Sequence, residues 1–190
     1  MPLYDPKTTA LVSIDLQARV MSMNVAPHSA ADCAARTAQI AASLKSKGGT
    51  VCYVRVAFSE GFADALRQPV DTPMQRAPGA QPADGFELAP ALQPIAADIN
   101  IVKRQWGAFH GTELDLQLRR RKIETIILTG IATNFGVEQT GREAWQHGYT
   151  VLFAEDAMSA VSEPMHRFAV DNIFPRLGRT RSTAAIVANA

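Results

Sequence analysis

Short apolar runs of strand length alternate with helical stretches along almost the whole chain, and this rhythm restricts the fold more than any other feature. The runs are residues 9–15, 50–57, 99–102, 124–128 and 149–154, and residues 180–182 begin a sixth. Helical patterns lie between them at 30–47, 112–121, 134–146 and 163–172. The first is Ala-rich and stops at Gly48-Gly49, where a left-handed residue can close a helix. In the second, Thr112 is placed to cap, and Glu113 and Asp115 suit the positive end of the helix. Apolar runs without polar alternation read as strands buried on both faces. Helices between successive strands turn each connection into a crossover to a parallel neighbour. The expected fold is an α/β domain over residues 1–190, with a parallel sheet covered on both sides.

One stretch breaks the rhythm. Residues 58–95 carry Pro69, Pro73, Pro78, Pro82, Pro90 and Pro94, with Gly61, Gly79 and Gly85. So long a connection within one domain is a lid, a binding loop, a contact with another subunit, or a tolerated surface insertion.

Charge and cysteine use exclude several classes. The net charge is +1 with the signs interspersed, which gives no electrostatic footprint for nucleic acid or an acidic membrane. The basic cluster at residues 119–122 falls at a helical C-terminus, where the backbone dipole favours cations. Cys33 and Cys52 are too few for a disulfide framework or a zinc site. There is no charged-then-apolar leader and no run of about 18 apolar residues, so a soluble cytoplasmic protein is expected.

The polar residues of interest fall at strand ends. Asp15 closes the first strand, Lys103 follows the third, and the segment from Thr129 to Thr140 follows the fourth and opens a helix. Ligands of open parallel sheets bind outside the carboxyl ends of the strands, so these positions can converge. A strand–turn–helix segment suits a nucleophile beside a row of backbone N–H groups. Position 136, however, is Gly and supplies no side chain. An Asp–Lys pair in a dry crevice can move a proton, but Asp15 could equally cap a turn and Lys103 could be a surface charge beside Arg104. Trp106 and Phe109 could wall a pocket or pack in the core. Arg55 could meet a substrate carboxylate or pair with Glu60 or Asp64. Asn134 could bind substrate or cap its helix, and Thr133 and Thr140 have no evident partner base.

Three segments, residues 13–17 (SIDLQ), 102–109 (VKRQWGAF) and 130–136 (GIATNFG), together resemble the isochorismatase-like hydrolase superfamily over nearly the whole chain. The resemblance implies a three-layer αβα sandwich with a six-stranded, mainly parallel sheet, in a homodimer or larger assembly. It also implies a small-molecule substrate and no cofactor. Thiol members use an Asp–Lys–Cys triad; Asp15 and Lys103 match the first two, and Gly136 stands in place of the Cys. The same resemblance implies a cis peptide at Ile131–Ala132 and an oxyanion site at the Ala132 and Gly136 amides, with Gln105 in the adjoining loop. It also implies that the acidic pair Glu155-Asp156 is structural.

Departures from the pattern narrow the activity. The metal motif of the nicotinamidases is replaced by residues 55–59 (RVAFS), which implies no metal. Isochorismatases share the Gly and cleave a vinyl ether, with the Asp as general acid, but their Gln after the second strand is here Val56. The chain looks like a bacterial branch in which the nucleophile position is also Gly. The reading is a metal-independent hydrolase that works without a thiol, through Asp15, Lys103 and Gly136. The alternatives are a catalytically silent binder and an amidase that activates water directly.

Overall fold

The computed structural model describes residues 2–73 and 83–189. Six strands form one sheet: β1 (Thr9–Ile14), β2 (Thr50–Val56), β3 (Ile99–Lys103), β4 (Thr125–Ile131), β5 (Thr150–Ser159) and β6 (Arg179–Arg181). Their order is β3-β2-β1-β4-β5-β6 and every pairing is parallel. From β1 the chain steps outward to β2 and β3, then returns beside β1 and steps the other way. The switch point therefore lies between β1 and β4, where an open α/β sheet offers its crevice.

Helices cover both faces, giving the three layers that the alternating pattern and the family resemblance anticipate. They are α1 (Ala18–Met21), α2 (Ala30–Ser46), α3 (Leu114–Arg120), α4 (Glu138–Gln146), α5 (Glu163–Phe168), α6 (Phe174–Leu177) and α7 (Thr183–Ala188). Ile40 and Leu44 of α2 and Ile186 of α7 pack with Leu11, Tyr53 and Ile127 on one face. Leu114 and Leu118 of α3, Ala144 of α4 and Phe174 of α6 pack with Val12, Val54 and Leu128 on the other. β1 and β4 are buried along their entire length, as strands with helices on both sides must be.

Several boundaries differ from the sequence expectation. β5 runs on through the polar pair Glu155-Asp156 to Ser159, because both acids are used on the spot. Glu155 pairs with Arg167, and Asp156 accepts from the Thr183 backbone and hydroxyl at the start of α7. The helix expected at 134–146 opens instead as a π-helical turn over Thr133–Val137. The expected helix at 163–172 is α5, a second π turn over Ala169–Ile173, and then α6. α1 and α7 are too short to leave a periodic pattern. Thr112 does serve the start of α3, its hydroxyl accepting from Leu114 N.

Of the Pro-rich stretch 58–95, residues 74–82, with Pro78, Pro82 and Gly79, lie outside the described residues. The returning limb is stitched to the segment just after β1. Ala18 N donates to Glu87 O, Ala89 N to Leu16 O, and the Gln17 amide to Gly85 O.

Candidate active site

Asp15 leaves β1 with a φ of 57°, a left-handed conformation that Asp tolerates better than most residues. Its carboxylate Oδ2 stands 2.8 Å from Lys103 Nζ. Asp15 follows β1 and Lys103 ends β3, with β2 between them, so the lysine stem and the Asp15 side chain together span two strand spacings, about 10 Å of sheet. Lys103 is 1% exposed and Asp15 9%. A buried ammonium is tolerated only with a partner, so these values make the pair obligate rather than a surface contact. Burial pushes the Asp15 carboxyl up to about 6, against the opposite pull of Lys103. The second carboxylate oxygen, Oδ1, is buried with no hydrogen-bond partner among the described residues.

Gly136 lies against this pair from the π turn. A Cβ built on it would lie 3.0 Å from Ile14 Cγ2, 3.1 Å from Lys103 Nζ and 3.3 Å from the Trp106 carbonyl oxygen. The glycine is thus a tight fit: a methyl group, an ammonium and a carbonyl crowd the place a side chain would take. Lys103 Nζ also donates to Trp106 O. The Trp106 ring is 52% exposed and packs on Phe135, centroids 4.8 Å apart, so the two aromatic rings stand beside Gly136.

Two threonines anchor the turn. Thr140 donates to Gly136 O at 2.7 Å and accepts from Ala108 N at 3.2 Å, tying the turn to the loop after Lys103. Thr133 Oγ1 lies 2.9 Å from His166 Nδ1. The contact joins Thr133 to an imidazole 33 residues further on, a neighbour that no local pattern announces. Glu143 supports the same loop by accepting from Phe109 N, and Gly107 lies so close that a Cβ there would overlap its carboxylate.

Asp15, Lys103, Gly136 and Trp106 are brought together, and Ala132 precedes the π turn across the cis peptide Ile131–Ala132. Asn134 does not cap: it sits inside the turn, and its Oδ1 is buried without a partner among the described residues. Phe109 is a core residue, 6% exposed, stacked on His147 and packed against Tyr149, and is not part of the crevice. The Gln105 amide is spent within its own loop, on Gly107 O and His110 O. Arg55 pairs with neither acid considered for it. It donates to Phe86 O at 3.4 Å, Asp64 pairs instead with Arg104, and Arg55 Nε is buried without a partner among the described residues. Gln17, which stands out in the sequence only as the end of a motif, is clamped. Its amide nitrogen donates to Val56 O and Gly85 O, and its oxygen accepts from Val56 N. Among the described residues no group of three or more His, Cys, Asp or Glu is placed to hold a metal ion.

A buried carboxylate–ammonium pair at the switch point of a doubly wound parallel sheet is a candidate site of an α/β enzyme. The isochorismatase domain model matches residues 9–185. The chain is 46% identical over 181 residues to the isochorismatase family protein YecD of Escherichia coli O157:H7, covering 95% of each. It is 31% identical to the ureidoacrylate amidohydrolase RutB of Caulobacter vibrioides, covering 95% of this chain and 90% of that one. An isochorismatase family protein from Burkholderia thailandensis superposes with a TM-score of 0.92 at 40% identity, over 100% of this chain and 98% of the other. The chain belongs to the isochorismatase family of hydrolases.

Proposed function

We propose that this hydrolase acts on a small molecule without a thiol nucleophile, Asp15 being the group that transfers the proton. The observation that carries the reading is the Asp15 carboxyl itself. One oxygen is held by Lys103 and the other is buried and unengaged, facing no competing donor among the described residues. A carboxyl raised to about 6 keeps part of its population protonated near neutrality, which general acid catalysis requires. In vinyl ether hydrolysis Asp15 would give its proton to the methylene carbon of the enol ether. Water would add to the resulting oxocarbenium carbon, and the hemiketal would collapse to a ketone and an alcohol. Lys103 would hold Asp15 and stabilise its carboxylate after transfer. Gly136 would leave room for the reacting group, with the Ala132 and Gly136 amides binding a substrate oxygen and Asn134 and Trp106 contacting the substrate.

The test is pyruvate release from isochorismate by the unsubstituted protein and Asp15→Asn side by side. Release that disappears in Asp15→Asn supports the assignment, and undiminished turnover in that variant refutes it. A second reading is favoured by the amidohydrolase relative: Asp15 would act as base on a water that attacks a carbonyl. Hydrolysis of ureidoacrylate distinguishes it. Saturable binding of either compound without product would mark a catalytically silent binder.

The hydrogen bonds from residues 85–89 to Leu16, Gln17 and Ala18 support that limb of the Pro-rich stretch, within one domain, as a border of the site beside Asp15, whether as part of a lid or of a subunit contact. A homo-oligomer in the cytoplasm fits the same reading. No described helix is long and apolar enough to cross a membrane.

A further inference from the structure

The π turn that carries Asn134 and Gly136 is pinned by a side chain from another helix. Thr133, its first residue, is fully buried, as is His166 of α5, and Thr133 Oγ1 lies 2.9 Å from His166 Nδ1. The opposite ring nitrogen, Nε2, lies 3.3 Å from Arg167 Nη2. A guanidinium has only donors, so Nε2 must accept, and a neutral ring then carries its proton on Nδ1. Arg167 is itself held by Glu155 at 3.3 Å and Asp171 at 3.7 Å. On the remaining side the His28 ring meets His166 edge-on, centroids 6.1 Å apart, in a loop clasped by Ser159. Burial, then Arg167 and His28, hold the His166 imidazole down at about 4, while Asp171 pulls weakly the other way. The ring is neutral at pH 7, as the donor assignment demands.

We propose that His166 is a positioning residue: its Nδ1–H donates to the Thr133 hydroxyl and through it holds the turn that sets Gly136 against Lys103 and Asp15. The assignment rests on the reading of that turn as part of the active site. Neither Thr133 nor His166 is accessible to a substrate, so the pair is not a nucleophile and base. Its role is to fix where the backbone of residues 133–136 sits.

The experiment needs no turnover, so its outcome is separate from that of the proposed reaction. Gly136→Cys supplies a reporter thiol beside Lys103 Nζ, which favours the thiolate. Burial pushes the thiols of Cys33 and Cys52 far up, so neither competes for iodoacetamide. With His166→Leu added, the thiol pKa read from the pH dependence of alkylation should rise by about one unit, so the rate at pH values below it should fall about tenfold. With His166→Asn, which returns an N–H near the Nδ1 position, the rate should recover. An unchanged rate in folded His166→Leu overturns the proposal, and so does equal slowing by Leu and Asn, which would indicate ring volume alone. If the Leu variant does not fold, imidazole 15N NMR of the unsubstituted protein decides. Neutral Nδ1–H at pH 7 supports the assignment; the Nε2–H tautomer or an imidazolium overturns it.

Discussion

Gly130 of β4 lies directly beside Ile14 of β1, and an ideal Cβ on Gly130 would sit 2.1 Å from the Ile14 carbonyl oxygen. The contact brings together the two strand ends that flank the switch point, one carrying Asp15 and the other leading into the π turn. Gly130 also has a φ of 122°, a conformation closed to other residues. Backbone overlap and forbidden φ act together, so Gly130→Ala should destabilise the protein by about 4 kcal/mol. Urea denaturation checks this, with insoluble expression as the extreme outcome.

Gly136 is crowded in a milder way, by a methyl group, an ammonium and a carbonyl at 3.0 to 3.3 Å. The lysine end can move and Ile14 can give slightly. Gly136→Ala should fold with a loss of about 1–2 kcal/mol, the usual cost of overpacking by one carbon. A loss above about 4 kcal/mol in thermal denaturation would show that the crevice cannot yield at all.

The direction of the pH profile separates proton donor from proton acceptor. The carboxyl of Asp15 is raised to about 6, so an enzyme using it as acid loses kcat/KM as pH rises through that value. An enzyme using it as base gains over the same interval. Lys103→Met removes the group that pulls the Asp15 carboxyl down, so the limb should move to higher pH. Folding stability carries the same sign. The folded carboxyl holds its proton more tightly than the unfolded one, so this contribution is complete below about 4 and is lost as pH rises through about 6. Asp15→Asn should flatten that portion of the stability curve, read by chemical denaturation across pH 4 to 7.

Gln17→Ala removes three hydrogen bonds and leaves Val56 and Gly85 backbone groups unmatched. The expected loss is about 2 kcal/mol, at roughly 1 kcal/mol per bond less local rehydration. Because one bond holds the returning limb of the Pro-rich stretch, limited proteolysis should cut near residues 83–88 faster in the variant. Unaltered cleavage would mean that the backbone bonds at Ala18 and Ala89 hold the limb without it.

Much of the candidate site's geometry was legible because its residues lie next to readable elements. Asp15 and Lys103 end apolar runs, and Gly136 opens a helical pattern, so their neighbourhood follows from the parallel topology. Phe109 looked equivalent to Trp106, three residues earlier. The loop between them turns one ring outward onto Phe135 and the other into the core beside Tyr149. Nothing local distinguishes them, because the choice is made by α4, whose Thr140 and Glu143 bind the loop backbone. Gln105 was likewise a plausible ligand, but the fold spends its amide on the Gly107 and His110 carbonyls, and it turns one Arg55 nitrogen onto Phe86 O.

The sequence by itself determined the strand and helix rhythm, the parallel sheet and the residues at its carboxyl edge, because periodicity and burial of apolar runs act over short distances. Only the tertiary structure decided that Lys103 crosses β2 to reach Asp15, that its ammonium crowds the place a side chain at Gly136 would take, and that His166 pins Thr133. These relations join residues 33 to 88 positions apart through the order of strands and the packing of helices on them, which no local pattern encodes.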